Sequence, residues 1–389
     1  MDQLYAIMRQ LVNEVPDRFH RYLYGQINWD NRMLGIVGPR GTGKTTMFLQ
    51  HIKAERSFED ALFVSADAMY FAGHTLFDMA DSFVKNGGMY LYIDEVHKYD
   101  GWSRELKSIY DAFPQLHVYF TGSSILDIEK GDADLSRRAP KYELQGLSFR
   151  EFLGMCEGID VPVYSLDDIL EHKVELLQVK HPLPLFRKYL ERGYYPFGSD
   201  PDFTIELGQV VNRTLEVDIP LYANMTVATG RKLRRLMALA ATLVPFKPNF
   251  TKLASQIGVS RNNVEEYLVY LEKAGMIARL EAAPTGINAL GKVEKVYLDN
   301  TNLLYNLGNG HEDIGTVRET FFFNQMRVNW DVYAAPSSDF LIDDVTFEVG
   351  GKNKGPQQLK GAKKGYVVKD DIEYGHGNVV PLWAFGLTY

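Results

Sequence analysis

Two short stretches hold residues whose types and spacing fit chemistry on a phosphate chain. The first, MLGIVGPRGTGKTTMFLQHI at 33–52, runs from an apolar β-type segment, Met33 to Val37, into Gly38-x4-Gly43-Lys44-Thr45 and then an amphipathic helical pattern. That order of strand, loop and helix is what a phosphate-binding loop requires. Its glycines let backbone amides turn toward phosphate oxygens, and the helix start adds the positive end of its dipole. The loop and first helical turn supply Gly38, Pro39, Arg40, Gly41, Thr42, Gly43, Lys44, Thr45 and Thr46 as the nucleotide-binding set. Lys44 is placed to reach the β- and γ-phosphates, and the Thr45 hydroxyl to bind Mg²⁺.

The second stretch, MYLYIDEVHKYDGW at 89–102, is a short apolar run ending in Asp94 and Glu95. This fits a buried parallel strand that delivers two carboxylates to the sheet's carboxyl edge. Asp94 takes the Walker B place, holding Mg²⁺ with Thr45, while Glu95 is positioned to orient or deprotonate an attacking water. No guanine-reading Asn-Lys-x-Asp stretch is present, so ATP is the expected nucleotide.

These groups need a sheet to hold them. Between the two motifs lies ALFVSAD at 61–67, a further strand, and HVYFTGSS at 117–124 supplies another. An extra strand together with a glutamate beside the Walker B aspartate predicts an additional-strand ATPase, an α/β parallel sheet of about five strands with flanking helices. The polar end of the 117–124 segment offers Thr121, Ser123 and Ser124, and Ser123 is expected to sense the γ-phosphate. Charge developing on the γ-phosphate also calls for a cation, and Arg137, Arg138 and Arg150 follow in the sequence.

The series IVGPRGTGKTT, YIDEVHKYDGWSRELK, YFTGSS and LSRRAPKYELQGLSFREF resembles the prokaryotic AAA-type ATPases fused to a C-terminal domain of unknown function. The resemblance implies that Arg138 is the arginine finger, leaving open whether it serves its own subunit or a neighbour. Arg137 stands where that family usually has glycine, and Arg150 is read as a structural arginine. The resemblance continues weakly into the proline-broken stretch after residue 150, which it makes a lid-like connector.

Further on, NFTKLASQIGVSRNNVEEYLVYLEKAGMIARLE contains two helical patterns meeting at a Gly-Val-Ser turn, with a hairpin-like stretch around 276–299 after them. That is the pattern of a winged helix-turn-helix. Ser260, Arg261, Asn262 and Asn263 would begin a recognition helix. Glu265, Glu266 and Glu272 on the same helix would repel phosphates, which favours a lid or protein-contact role over DNA reading. In the tail, Glu319 on a helix, Asp339 and Glu348 on strands, and a helix expected around PQQLKGAKK sketch a restriction-endonuclease-like fold. A working metal-dependent nuclease wants a lysine two residues after Glu348, and that residue is Gly350. Neither Lys352 nor Lys360 has suitable spacing, so the tail is expected to keep the shape without nuclease activity.

The expected domains are therefore 1–155, a P-loop AAA-type ATPase domain; 156–228, a helical lid or connector; 229–308, a winged helix; and 309–389, a degenerate nuclease-like α/β domain. Composition fits this reading. The 389 residues are 46% hydrophobic and 24% charged, ordinary for globular domains. A net charge of -8 argues against a broadly cationic nucleic-acid coat, though the lysines from Lys352 to Lys369 form a local basic stretch, read as a solvated helix face. No run of eighteen apolar residues occurs, and the first residues lack a basic-then-apolar signal pattern. The single cysteine, Cys156, suits a reducing cytoplasm. Three functions remain open: an ATP-driven switch acting on a protein partner or through self-association, a DNA-binding or DNA-stimulated ATPase, and a scaffold that nucleotide merely stabilises.

Overall fold

Four short apolar runs, β1 (Met33–Val37), β2 (Ala61–Ser65), β3 (Tyr90–Asp94) and β4 (His117–Thr121), join the short polar edge strand β5 (Lys141–Glu143) in one parallel sheet. Their order across the sheet is β2-β3-β4-β1-β5. The computed structural model describes residues 1–122, 135, 137–223, 225–284, 291–308, 310 and 312–389. It divides into two units, Met1–Gln145 and Gly146–Tyr389.

In the first unit the strands are near-continuous hydrophobic runs because both faces are covered. Met33, Val37, Leu91, Ile93 and Phe120 join one core, with residues of the helices α3 (Leu76–Lys85) and α4 (Trp102–Ala112). Leu34, Ile36, Tyr92 and Tyr119 join the other, with residues of α1 (Asp2–Glu14) and α2 (Lys44–Glu55). Each fully buried aliphatic or aromatic side chain contributes roughly 1.5–3 kcal/mol. This double packing fixes where each strand stops, and with it the residues at the carboxyl edge. The expected parallel sheet with flanking helices is present. The strand that separates β1 from β3 in space is β4, whereas β2 lies beyond β3 at the sheet's edge.

The second unit begins with helices and ends in a seven-stranded mixed sheet, ordered β12-β11-β10-β9-β8-β6-β7. Its strands are β6 (Ile277–Ala282), β7 (Val293–Leu298), β8 (Val332–Ala334), β9 (Phe340–Ile342), β10 (Val345–Gly350), β11 (Lys364–Lys369) and β12 (Val379–Pro381). Helices Phe250–Ile257 and Arg261–Lys273 flank a turn at Gly258, whose φ of 70° suits glycine. Val264, Leu268 and Leu271 are buried along the second helix, and β6 pairs with β7 antiparallel. The same β6 pairs with β8, so hairpin and tail share one sheet.

One expectation fails here. Residues 352–369 form no α-helix; the segment has a single 3₁₀ turn, Gln357–Leu359, followed by β11. Gly355 and Pro356 interrupt any helix before it starts, and Gly361 at φ +94° ends the turn.

Candidate functional site

The loop after β1 is shaped by its glycines. Gly38, Gly41 and Gly43 have φ values of 146°, 83° and 97°. A side chain at Gly38 would also bring its Cβ to 2.2 Å from the Leu144 carbonyl oxygen, so that position is closed to any other residue. Thr42 is fully buried, and its hydroxyl donates to the Pro39 carbonyl at 3.0 Å, pinning the loop internally. Buried Arg21 donates to the Thr42 and Gln145 carbonyls, the latter at 2.7 Å, and so braces the loop from outside. Gly43 caps α2, and no acidic residue lies in that helix's first turn to compete for its positive end.

Lys44 is buried, and its ammonium donates to the carbonyls of Gly38 at 2.9 Å and Pro39 at 2.7 Å. Burial lowers its pKa to about 8, against the pull of Asp94 and Glu95. Thr45 in the same turn donates to Asp94 Oδ2 at 2.8 Å, and Thr46 is half-buried behind it. Asp94 is itself buried, and desolvation raises its pKa although Thr121 and Thr45 donate to the carboxylate.

Thr121 is the residue that strand-end reasoning passed over. It is fully buried, donates to Asp94 Oδ1, and accepts from the Glu95 amide at 3.0 Å. One hydroxyl thus fixes the carboxylate and the backbone of the next residue together. The signal was present as a hydroxyl at the end of a predicted strand, but its partner is set by β3–β4 adjacency. Ser123, the expected sensor, lies outside the described residues.

Glu95 has a left-handed backbone, φ 52° and ψ 46°, uncommon for a residue with a Cβ. Its carboxylate lies 3.7 Å from the Arg40 guanidinium and is paired to Lys98. Burial works against the charge of Glu95, but Lys98, Arg40 and His97 outweigh it and hold the pKa below the usual value. Lys98 also pairs with Asp67 just past β2, and Asp67 accepts from Ser65 Oγ at 2.6 Å. Burial pushes nearby His97 down to about 4, so it is neutral at physiological pH.

Arg138 stands elsewhere in the first unit. It pairs with Asp111 at 3.3 Å and lies 5.7 Å from the Tyr110 ring, both at the end of α4. Two residues later the Pro140 carbonyl accepts from Gly35, and β5 then runs parallel to β1. From there β1 rises about 3.3 Å per residue toward the loop. Arg138 therefore sits toward the amino edge of the sheet, and the structure does not bring it to the P-loop of its own chain.

Residues 30–153 match a family described as an AAA domain, and residues 183–313 match a domain of unknown function, DUF8612. The first of these matches lies over most of the first unit. No curated protein matches the sequence. Among solved structures, the Walker-type ATPase paby2304 of Pyrococcus abyssi is similar over 77% of this chain and 99% of that chain, at 12% identity and a TM-score of 0.46. PCH-2 of C. elegans is similar over 69% of this chain and 67% of its own, at 15% identity and a TM-score of 0.25. NtrX of Brucella abortus, solved with ADP, is similar over 68% of this chain and 67% of its own, at 16% identity and a TM-score of 0.25. Among the described residues, no helix is long and apolar enough to cross a membrane.

The second unit has its own charged cluster. Glu319 accepts from the Tyr297 hydroxyl at 2.6 Å and from Lys295 at 3.0 Å, and Lys295 also lies 3.5 Å from Asp339. Burial and the nearby Asp339 raise the Glu319 pKa. Glu348 is fully buried, paired to Lys354 at 2.5 Å and accepting from Ser338 Oγ at 2.5 Å. A Cβ on Gly350 would come within 2.7 Å of the Lys354 side chain. The Lys354 stem therefore fills the space a side chain at 350 would take. Sequence reasoning weighed Lys352 and Lys360, found neither suitably spaced, and missed Lys354, because a loop return, not strand periodicity, brings it back. Among the described residues, no group of three or more His, Cys, Asp or Glu is arranged to hold a metal ion.

Proposed function

We propose that the chain is a Mg²⁺-dependent ATPase whose turnover drives a conformational switch acting on a protein partner. The observation that carries this reading is the connected series Thr45–Asp94–Thr121–Glu95, set directly beneath the P-loop. Hard oxygen donors from Thr45 and Asp94 suit Mg²⁺, and their side chains already meet. Bound there, Mg²⁺ would neutralise charge on the β- and γ-phosphate oxygens.

The chain's own groups have these roles. The backbone N–H groups of residues 40–46 bind the phosphates, and Lys44 leaves its two carbonyl partners to contact the β- and γ-phosphates. Glu95 accepts the proton of the attacking water, or orients that water, for which its held-down pKa keeps it ionised. Ser123 remains the proposed γ-phosphate sensor, and Thr121 holds the two acids in place. Arg138 acts as a finger in trans, because it lies away from its own P-loop. This requires self-association. Mixing Arg138→Ala with Lys44→Ala, each inactive alone, should restore part of the activity if one chain's Arg138 completes another's site.

For the remainder we propose the division 1–155, 156–228, 229–308 and 309–389, with a winged helix in the third segment and a degenerate nuclease-like module in the fourth. On the helix Arg261–Lys273, Glu265 pairs with Arg261 and Glu272 with Arg279, while Glu266 accepts from the Tyr270 hydroxyl and keeps an acidic surface that favours protein contact over DNA. In the tail, Lys295 and Lys354 already occupy the carboxylates a metal would need, which favours a contact role over cleavage. The test is ATP hydrolysis by the full chain with and without duplex DNA. Turnover indifferent to DNA supports the protein-directed switch. Several-fold stimulation that disappears at high salt would replace it with a DNA-stimulated ATPase.

A further inference from the structure

We infer that Lys98 is a restraint on Glu95, and that Asp67 competes for the same ammonium and so sets how tightly Glu95 is held. This inference rests on the ATPase reading and adds to it a positioning residue. Lys98 lies three residues after Glu95, on the 3₁₀ turn Val96–Lys98, and contacts Glu95 Oε2 on one side and Asp67 Oδ2 on the other. Glu95 and Lys98 are 19% and 20% exposed, so their pairing is worth more than one at an open surface, whereas Asp67 at 47% is the more weakly held partner.

Asp67 is anchored. Its other oxygen accepts from Ser65, the last residue of β2, and β2 pairs with β3 at Ser65 and Asp94. The ammonium therefore bridges a fixed acid at the end of β2 and the acid that must handle water after β3. The other titratable groups facing Glu95 are Arg40 at 3.7 Å, Lys44, Asp94 and the neighbouring His97, which burial keeps neutral. A carboxylate oxygen held by an ammonium is occupied, so the side chain is less free to reach an attacking water. Shifting Lys98 toward Asp67 frees Glu95, and removing Asp67's charge gives the whole ammonium to Glu95.

Two substitutions with opposite signs test this. Lys98→Met should raise kcat for ATP about two- to fivefold with KM little changed, because Lys98 does not contact the P-loop. Asp67→Asn should lower kcat by a similar factor, and Lys98→Arg should stay near wild type. A simple structural role would lower kcat in both Lys98→Met and Asp67→Asn. Wild-type turnover that Lys98→Met leaves unchanged or reduces overturns the restraint while leaving the ATPase reading intact. If Lys98→Met does not fold, a rise or no change in Asp67→Asn overturns the restraint by itself. Turnover absent from the wild type but present in Lys98→Met is the restraint in its strongest form. Turnover absent from both overturns the restraint together with hydrolysis.

Discussion

Replacing Thr121 with valine keeps the shape of a fully buried side chain and removes one hydroxyl. That hydroxyl donates to Asp94 and accepts from the Glu95 amide, so the change deletes two hydrogen bonds at once. A bond to a charged acceptor is worth about 1.5–3 kcal/mol, and a buried amide left unpaired costs about 1–3 kcal/mol. The two share one atom and are not independent, and Asp94 keeps Thr45, so the expected loss is about 3 kcal/mol. For a unit of this size that is a drop in Tm of about 6–12 °C. Asp94, already raised by burial, would lose a donor that favours its anion, so activity should also need a higher pH. Thermal unfolding followed by circular dichroism, with ATPase pH profiles beside it, measures both effects. Thr121→Ser keeps the hydroxyl and should stay within about 1 kcal/mol of wild type. A valine variant as stable and active as wild type, or a serine variant as damaged as valine, would refute this reasoning.

Two further outcomes follow from the charged groups. Lys44 has a folded pKa of about 8 against an ordinary 10.5, so the unfolded chain holds the extra proton between those values. Stability should therefore rise from about pH 8 to 10.5, by up to about 3 kcal/mol, and the rise should vanish in Lys44→Met. Nucleotide phosphates beside the ammonium would restore its proton, so calorimetric titration with ATP near pH 8.5, in buffers of different ionisation heat, should show proton uptake. In the second unit, Lys354→Met strands the fully buried Glu348 with Ser338 among its remaining donors. The Lys354 side chain is 34% exposed, so the cost is set at about 2–3 kcal/mol, below the usual range for breaking a buried pair. Adding Glu348→Gln should recover at least half of it in urea unfolding.

The parts legible in the sequence are those whose meaning is local. Gly38 to Thr46 and the Asp94–Glu95 pair are read from consecutive residues, because loop shape and strand end are decided within one short segment. Thr121 was harder, since it acquires its role only when β4 lies beside β3. The position of Arg138 depends on where β5 enters the sheet, which spacing along the chain does not encode. Lys98 was visible in the motif but became interpretable only once Asp67, thirty-one residues earlier, was seen to share its ammonium. Lys354 reaches Glu348 over a side-chain-free Gly350, a route no strand or helix period suggests. The helix expected over the basic tail fails for a local reason: Gly355, Pro356 and Gly361 outweigh the helix-forming residues between them.

The proposal that Glu95 acts on water at a nucleotide held by Lys44 and Thr45 is tested most directly by Mg²⁺-dependent phosphate release from ATP by the full chain, compared with Glu95→Gln, with ATP binding measured on both. Release by the wild type is expected, at least a hundredfold less by the variant, with ATP binding retained by both. Equal release by wild type and Glu95→Gln would contradict it, as would ATP binding with no hydrolysis under any condition, which would leave a nucleotide-stabilised scaffold.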